Sequence, residues 1–132
     1  MVRLVLGAVI GVIAGVAVIA ALESIGHVIF PPPEGVNIKD PEVLKSIMDQ
    51  IPLGAKISVL IAWGGGVLVG GIVARVIAQG KAPAASIVGL VLLALAGVTM
   101  VQIPHPIWMV IGAFVVTFAG IYGAGSVIKT QS

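Results

Sequence analysis

The 132 residues include 59% hydrophobic and 9% charged side chains, with a formal net charge of +2 and no cysteine. A soluble domain devotes about a quarter of its residues to charge, so this composition excludes an ordinary soluble fold. Lys and Arg are scattered with no basic stripe, which excludes nucleic acid as a partner, and without thiols there are no disulfides, thiolate metal sites or cysteine nucleophile.

In chain order, four apolar stretches run over 4–22, 57–74, 84–103 and 107–128. A helix of about 18–22 residues covers about 27–33 Å, which matches a hydrocarbon core about 30 Å thick. With their flanks the spans read as about 4–22 (or onward to 30), 55–79, 84–103 and 107–128. The expected fold is all-α: one transmembrane domain over 1–132, an integral membrane four-helix bundle. A polar connection, 31–52, joins helices 1 and 2. The first stretch has only Arg3 as a charged leader and Val18-Ile19-Ala20 as a weak cleavage site. Its apolar run exceeds the roughly 7–15 residues of a secretory signal, so it is expected to remain as an uncleaved span.

Within the connection, Pro31-Pro32-Pro33 must be extended, because each ring fixes φ and removes a donor. Gly35 then lets the chain turn. Asp40-Pro41-Glu42 combines an acidic cap, proline at the first helical position and an acid at the positive dipole end. A short amphipathic interfacial helix is expected from Pro41 to about Gln50, ended by Pro52. Val43, Leu44, Ile47, Met48 and Ile51 fall on its apolar face, with Lys45, Ser46 and Asp49 opposite. Such a helix lies in the headgroup layer or covers the bundle mouth; partner docking and gating are the other readings.

The second span contains Gly64-Gly65-Gly66. Each glycine weakens a helix by about 1 kcal/mol relative to alanine, so this is a candidate helix interruption of the kind transporters use. Close packing at a helix crossing is the alternative. Gly80 can close the second span, and Pro83 suits the first position of the third. Pro104-His105-Pro106 separates the last two spans, stopping the third near Gln102 and starting the fourth at Pro106. Trp108 is then expected as an interface anchor. So short a link makes spans three and four an antiparallel hairpin.

Small residues recur one helical turn apart: Gly7, Gly11 and Gly15 in the first span, and Ala62, Gly66, Gly70 and Ala74 in the second. Ala85, Gly89 and Gly97 in the third span and Gly112, Gly120 and Ala124 in the fourth continue the theme. These rows read as glycine zippers that let helix backbones approach closely in lipid. They serve packing within one chain, or between chains as a homo-oligomer.

Arg3, Arg75, Lys81 and Lys129 fall on one side of the membrane, and Lys39, Lys45 and Lys56 fall on the other with every acid. The positive-inside rule therefore places both termini in the cytoplasm.

Glu23, His27 and His105 form the candidate polar cluster, since all three are expected at the outer face. Glu23 and His27 are one helical turn apart. Counting about 100° per residue from Gly11, they point away from the zipper face, toward another neighbour or toward water. Carboxylate and imidazole could ligate a transition metal, relay protons, or hydrogen-bond to water and headgroups. No cofactor is implied, and no nucleophile elbow, His-Glu-x-x-His or phosphate loop supports an enzyme.

The runs Glu23-Ser24-Ile25-Gly26-His27-Val28-Ile29-Phe30-Pro31-Pro32-Pro33-Glu34-Gly35 and Ile51-Pro52-Leu53-Gly54-Ala55-Lys56, with Ala62-Trp63 and His105-Pro106-Ile107-Trp108, resemble a group of small bacterial four-span membrane proteins. The resemblance covers nearly the whole chain. It implies four spans in a bacterial inner membrane and no particular activity. Small multidrug transporters are similar in size and span number, but their essential Glu lies mid-span, whereas Glu23 stands near a span's end. The sequence is thus read as a non-enzymatic accessory or helix-packing protein, in contact with lipid and with copies of itself or a larger membrane complex. A small transporter or ion- or proton-handling protein using Glu23, His27 and His105 is the alternative. A metal-dependent membrane enzyme is a weaker third reading.

Overall fold

A computed structural model describes residues 2–30, 40, 42, 53–102 and 106–127. Among them are four helices, α1 (Val2–Ile29), α2 (Leu53–Ile77), α3 (Ala82–Gln102) and α4 (Ile107–Val127), and no strand. Each is long and apolar enough to cross a membrane. In lipid a spanning segment must satisfy its own backbone, which a helix does. The chain is therefore a multi-pass, all-α membrane protein.

The helix ends follow local chemistry. α1 continues to Ile29, and Phe30 still donates its amide to the Gly26 carbonyl at 2.8 Å. Its 28 residues span about 42 Å, more than the hydrocarbon core, so α1 must tilt or extend beyond it. α3 ends at Gln102, as the following Ile-Pro pair requires. At the start of α4 the Pro106 carbonyl accepts the amides of Met109 and Val110. The interfacial helix expected at 41–50 falls outside the described residues, apart from Glu42. There, Asp40 Oδ1 accepts the Glu42 amide at 3.0 Å, the bond an acidic cap makes.

Between α2 and α3 the chain reverses in a few residues. The Gly80 amide reaches back to the Arg75 carbonyl (2.7 Å) and the Gln79 amide to the Val76 carbonyl (3.2 Å). This is the Schellman pattern, which needs a left-handed residue after the helix. Gln79 takes it at φ 57°, and Gly80 follows at φ 83°. α3 then begins at Ala82, so Pro83 occupies its second position, one residue later than the sequence pattern suggests.

α2 is the hub of the bundle. It packs most extensively on α1, and also on α4 and α3. α1 and α4 each lean on α3 as well, and they sit on opposite sides of the α2–α3 pair. Val67, Val88 and Leu92 are the largest fully buried side chains, joined by Ile19, Ala74, Ala78 and Ala84. Lipid is as apolar as these residues, so their burial stabilises the bundle through packing contacts, with little hydrophobic transfer. The outward surface carries large apolar side chains, among them Ile13, Leu90, Val98, Phe114, Phe118 and Tyr122.

Candidate functional site

Three regions concentrate features a plain apolar bundle would lack: the α1–α2 seam, the polar group at one end of it, and a buried arginine at the other.

The seam is built from small residues meeting backbone. A methyl group on Gly7 would lie 2.6 Å from the Ala74 carbonyl oxygen. On Gly11 it would lie 2.6 Å from the Gly70 oxygen, and on Gly15 2.9 Å from the Gly66 oxygen. Residue numbers rise by four on α1 as they fall by four on α2, so the helices run antiparallel with backbones in direct contact. Ala62, at the same spacing, is fully buried. Val88 and Leu92 of α3 close the groove over Gly11 and Gly15.

α2 runs without a break through Gly64-Gly65-Gly66, so the candidate interruption is absent from the helix. Each of the three glycines instead faces a different neighbour. Gly64 meets Val116 of α4, Gly65 meets Leu22, and Gly66 meets Gly15 and Ile19. Three successive positions on a helix point about 100° apart. A helix with partners on several sides therefore uses small residues in sequence, which is the packing alternative. α4 docks on α2 by the same means. A methyl group on Gly112 would lie 2.7 Å from Leu60, and one on Gly120 2.8 Å from Val67. Gly89 packs against Ile121, Ala124 faces Gly71, and Ala85 lies beside it. Gly97 differs: a methyl group there meets nothing within 4 Å.

Beyond Gly15 the seam continues through Ile19 on Gly66, Leu22 on Gly65, Gly26 on Ser58 and Phe30 on Gly54. Within this stretch Glu23 lies beside Trp63 of α2 and His27 of α1. The indole Nε1–H is the one polar group Trp63 can offer to that acid. This corrects the expectation that the Glu23 side would face away from the helix gripped by the glycines. The α1 residues in contact with α2 step by three from Ile19 to Leu22, which keeps α2 on the glycine side of α1, and the large Trp63 side chain of α2 lies beside Glu23. His27 stays exposed. His105 lies outside the described residues. Among the described residues no group of three or more His, Asp or Glu is placed to hold a metal. The hydroxyls of Ser24, Thr99, Thr117 and Ser126 donate to their own helix's carbonyls four residues back, at 2.7–3.2 Å. That is how a hydroxyl is accommodated in lipid.

At the opposite end, Arg75 is only 5% exposed. Its Nη2 donates to the Gly80 carbonyl at 3.2 Å, and its guanidinium lies against Gly125 of α4. Sequence reasoning counted Arg75 among the cations on one side of the membrane and did not find its burial. The legible signal was Gly80, whose left-handed turn presents a carbonyl to the last turn of α2. Arg75 thus braces the hairpin from inside the bundle. Trp108, in the first turn of α4, is 41% exposed.

Comparison with protein-family models, curated proteins and solved structures finds no match for this chain.

Proposed function

We propose that the protein is a non-enzymatic helix-packing or accessory component of a bacterial inner membrane, with both termini in the cytoplasm and the 31–52 connection outside. The observation that carries this reading is how the described spans divide their surfaces. Their inner faces set glycines directly against neighbouring backbone and side chains, where an added methyl group would be crowded at most positions. Their outer faces present large apolar side chains. A molecule so divided works through its outer surface, against lipid, further copies or a larger membrane complex. The charge asymmetry of the connections supports the orientation. Purification from native membranes in mild detergent tests the role. A stoichiometric partner supports it, and a solitary dimer enclosing a water-filled cavity opposes it.

One observation favours a second reading, a small transporter or ion- or proton-handling protein. Glu23 is a half-buried acid at the α1–α2 seam, with Trp63 and His27 beside it. Acids within spans are costly and commonly functional. On this reading Glu23→Ala and His27→Ala abolish coupled transport in proteoliposomes. On the accessory reading both variants stay folded and bound to the partner. Metal analysis of the purified protein tests the weaker metal-enzyme reading, and an empty result removes it.

A further inference from the structure

Between its two polar ends the interior of the bundle is dry. Among the described residues, the buried side chains are apolar except Arg75 and Thr117. Thr117 donates its hydroxyl to the Ala113 carbonyl of its own helix at 2.7 Å. Tyr122 is 78% exposed and belongs to the outer surface of α4. Glu23 falls between two contacts that fix its level in the seam, Leu22 on Gly65 and Gly26 on Ser58. From Gly65 to Arg75 the α2 helix rises about 15 Å. Over that rise Ile19, Gly15, Gly11 and Gly7 of α1 lie directly on α2, while Val88 and Leu92 of α3 close the groove. Water or an ion held there would need several polar partners. Among the described residues, the core of this stretch offers only the Thr117 hydroxyl, which is already bonded.

Glu23 stands at the outer edge of this seal. Immediately inward of it, Leu22 lies on Gly65 and Ile19 on Gly66. In the other direction Ser24 and His27 are exposed, and Ser58 is half-buried beneath Gly26. A half-buried acid keeps its charge at least cost where one side of it reaches water. We propose that Glu23 is a one-sided site. Water and small cations reach it from the side of the membrane that bears the 31–52 connection, and the Leu22–Gly65 and Ile19–Gly66 contacts close it off from the Arg75 end. The inference goes beyond both roles proposed above, because it states which side of the membrane reaches Glu23, whether or not anything crosses. For a transporter it adds a requirement: α1 must part from α2 before a charge at Glu23 moves further, a rearrangement of the alternating-access kind.

A quaternary, membrane-impermeant carbodiimide is itself a small cation, and it reacts with carboxyl groups. It is applied together with a small amine to the unaltered chain in intact cells and in inverted vesicles, and modification of Glu23 is located by peptide mass spectrometry. Gly35→Cys, labelled with an impermeant maleimide, identifies which preparation presents the connection, so an error in orientation is read separately. Glu23 is expected to react about 100-fold faster from the connection side than from the other, the order of exclusion that the apolar layer imposes on a charge. Val67, one residue past Gly66, is fully buried, so Val67→Cys should react with a cationic thiol reagent from neither side. Modification of Glu23 at equal rates from both sides, faster from the Arg75 side, or from neither would overturn the proposal. So would reaction of Val67→Cys from either side, which would place water inside the seal. If Val67→Cys does not fold, the Glu23 rates in the unaltered chain decide alone.

Discussion

Replacing Gly70 by Ala puts one methyl group at the closest approach to backbone in the α1–α2 seam. That methyl would sit 2.5 Å from the Gly11 carbonyl oxygen and 3.1 Å from Val88 Cγ1. Carbon and carbonyl oxygen come to rest about 3.3–3.6 Å apart, so the backbones must separate by about 1 Å. Separation on that scale forfeits a quarter to a half of each affected dispersion contact, and overpacking of this kind costs about 1–3 kcal/mol. Gly70→Ala also adds helix propensity, which offsets part of that cost. Gly97→Ala is the matched control, because it adds the same propensity where nothing lies within 4 Å. The two variants should therefore differ by the full steric cost, about 1–3 kcal/mol. The assay is unfolding in mixed micelles of mild detergent and SDS, followed by Trp63 fluorescence in a Trp108→Phe background. Equal stability of Gly70→Ala and Gly97→Ala would refute the claim that the seam is held at backbone contact.

Further outcomes follow from the same geometry. Gly11→Ala and Gly70→Ala relieve one another's strain once the helices have parted, so the double variant should lose less stability than the two single losses together, measured by the same titration. Arg75→Met removes a charge-assisted hydrogen bond to the Gly80 carbonyl and should destabilise the bundle by about 1.5–3 kcal/mol. Gly80→Ala places a side chain at φ 83° and should cost about 1–2 kcal/mol in the same assay. Phe118→Leu changes a lipid-facing side chain and should shift stability by no more than about 0.5 kcal/mol; a larger loss would show that this face is covered by protein.

The number of spans was legible because each stretch matches bilayer thickness in length and composition. The stop at Gln102 and the turn at Gly80 were legible because proline and left-handed glycine act locally. The partnership of Gly7, Gly11 and Gly15 with α2 was not fixed by spacing, since several rows of small residues shared the period. Which face of α1 Glu23 would occupy was misjudged for a geometric reason. Counting angles from Gly11 gives the direction of a Cα–Cβ bond and says nothing of the reach of a large neighbouring side chain, and Trp63 of α2 lies beside Glu23. The burial of Arg75 was not legible because charge counting assigns a side of the membrane but says nothing of depth, and the guanidinium lies in a niche beside Gly125. Gly64-Gly65-Gly66 was ambiguous because the same three residues suit a broken helix or a helix with neighbours on several sides. Only the identity of Val116, Leu22 and Gly15 as those neighbours distinguishes the two.

Four crossings of the bilayer underlie the whole account. Single cysteines introduced by Gly35→Cys and Thr130→Cys into this cysteine-free chain can be labelled with a membrane-impermeant maleimide in intact cells and in inverted vesicles. Four crossings predict that position 35 reacts only in intact cells and position 130 only in inverted vesicles. Labelling of both positions from the same side would contradict three crossings after the connection and, with them, the bundle described here.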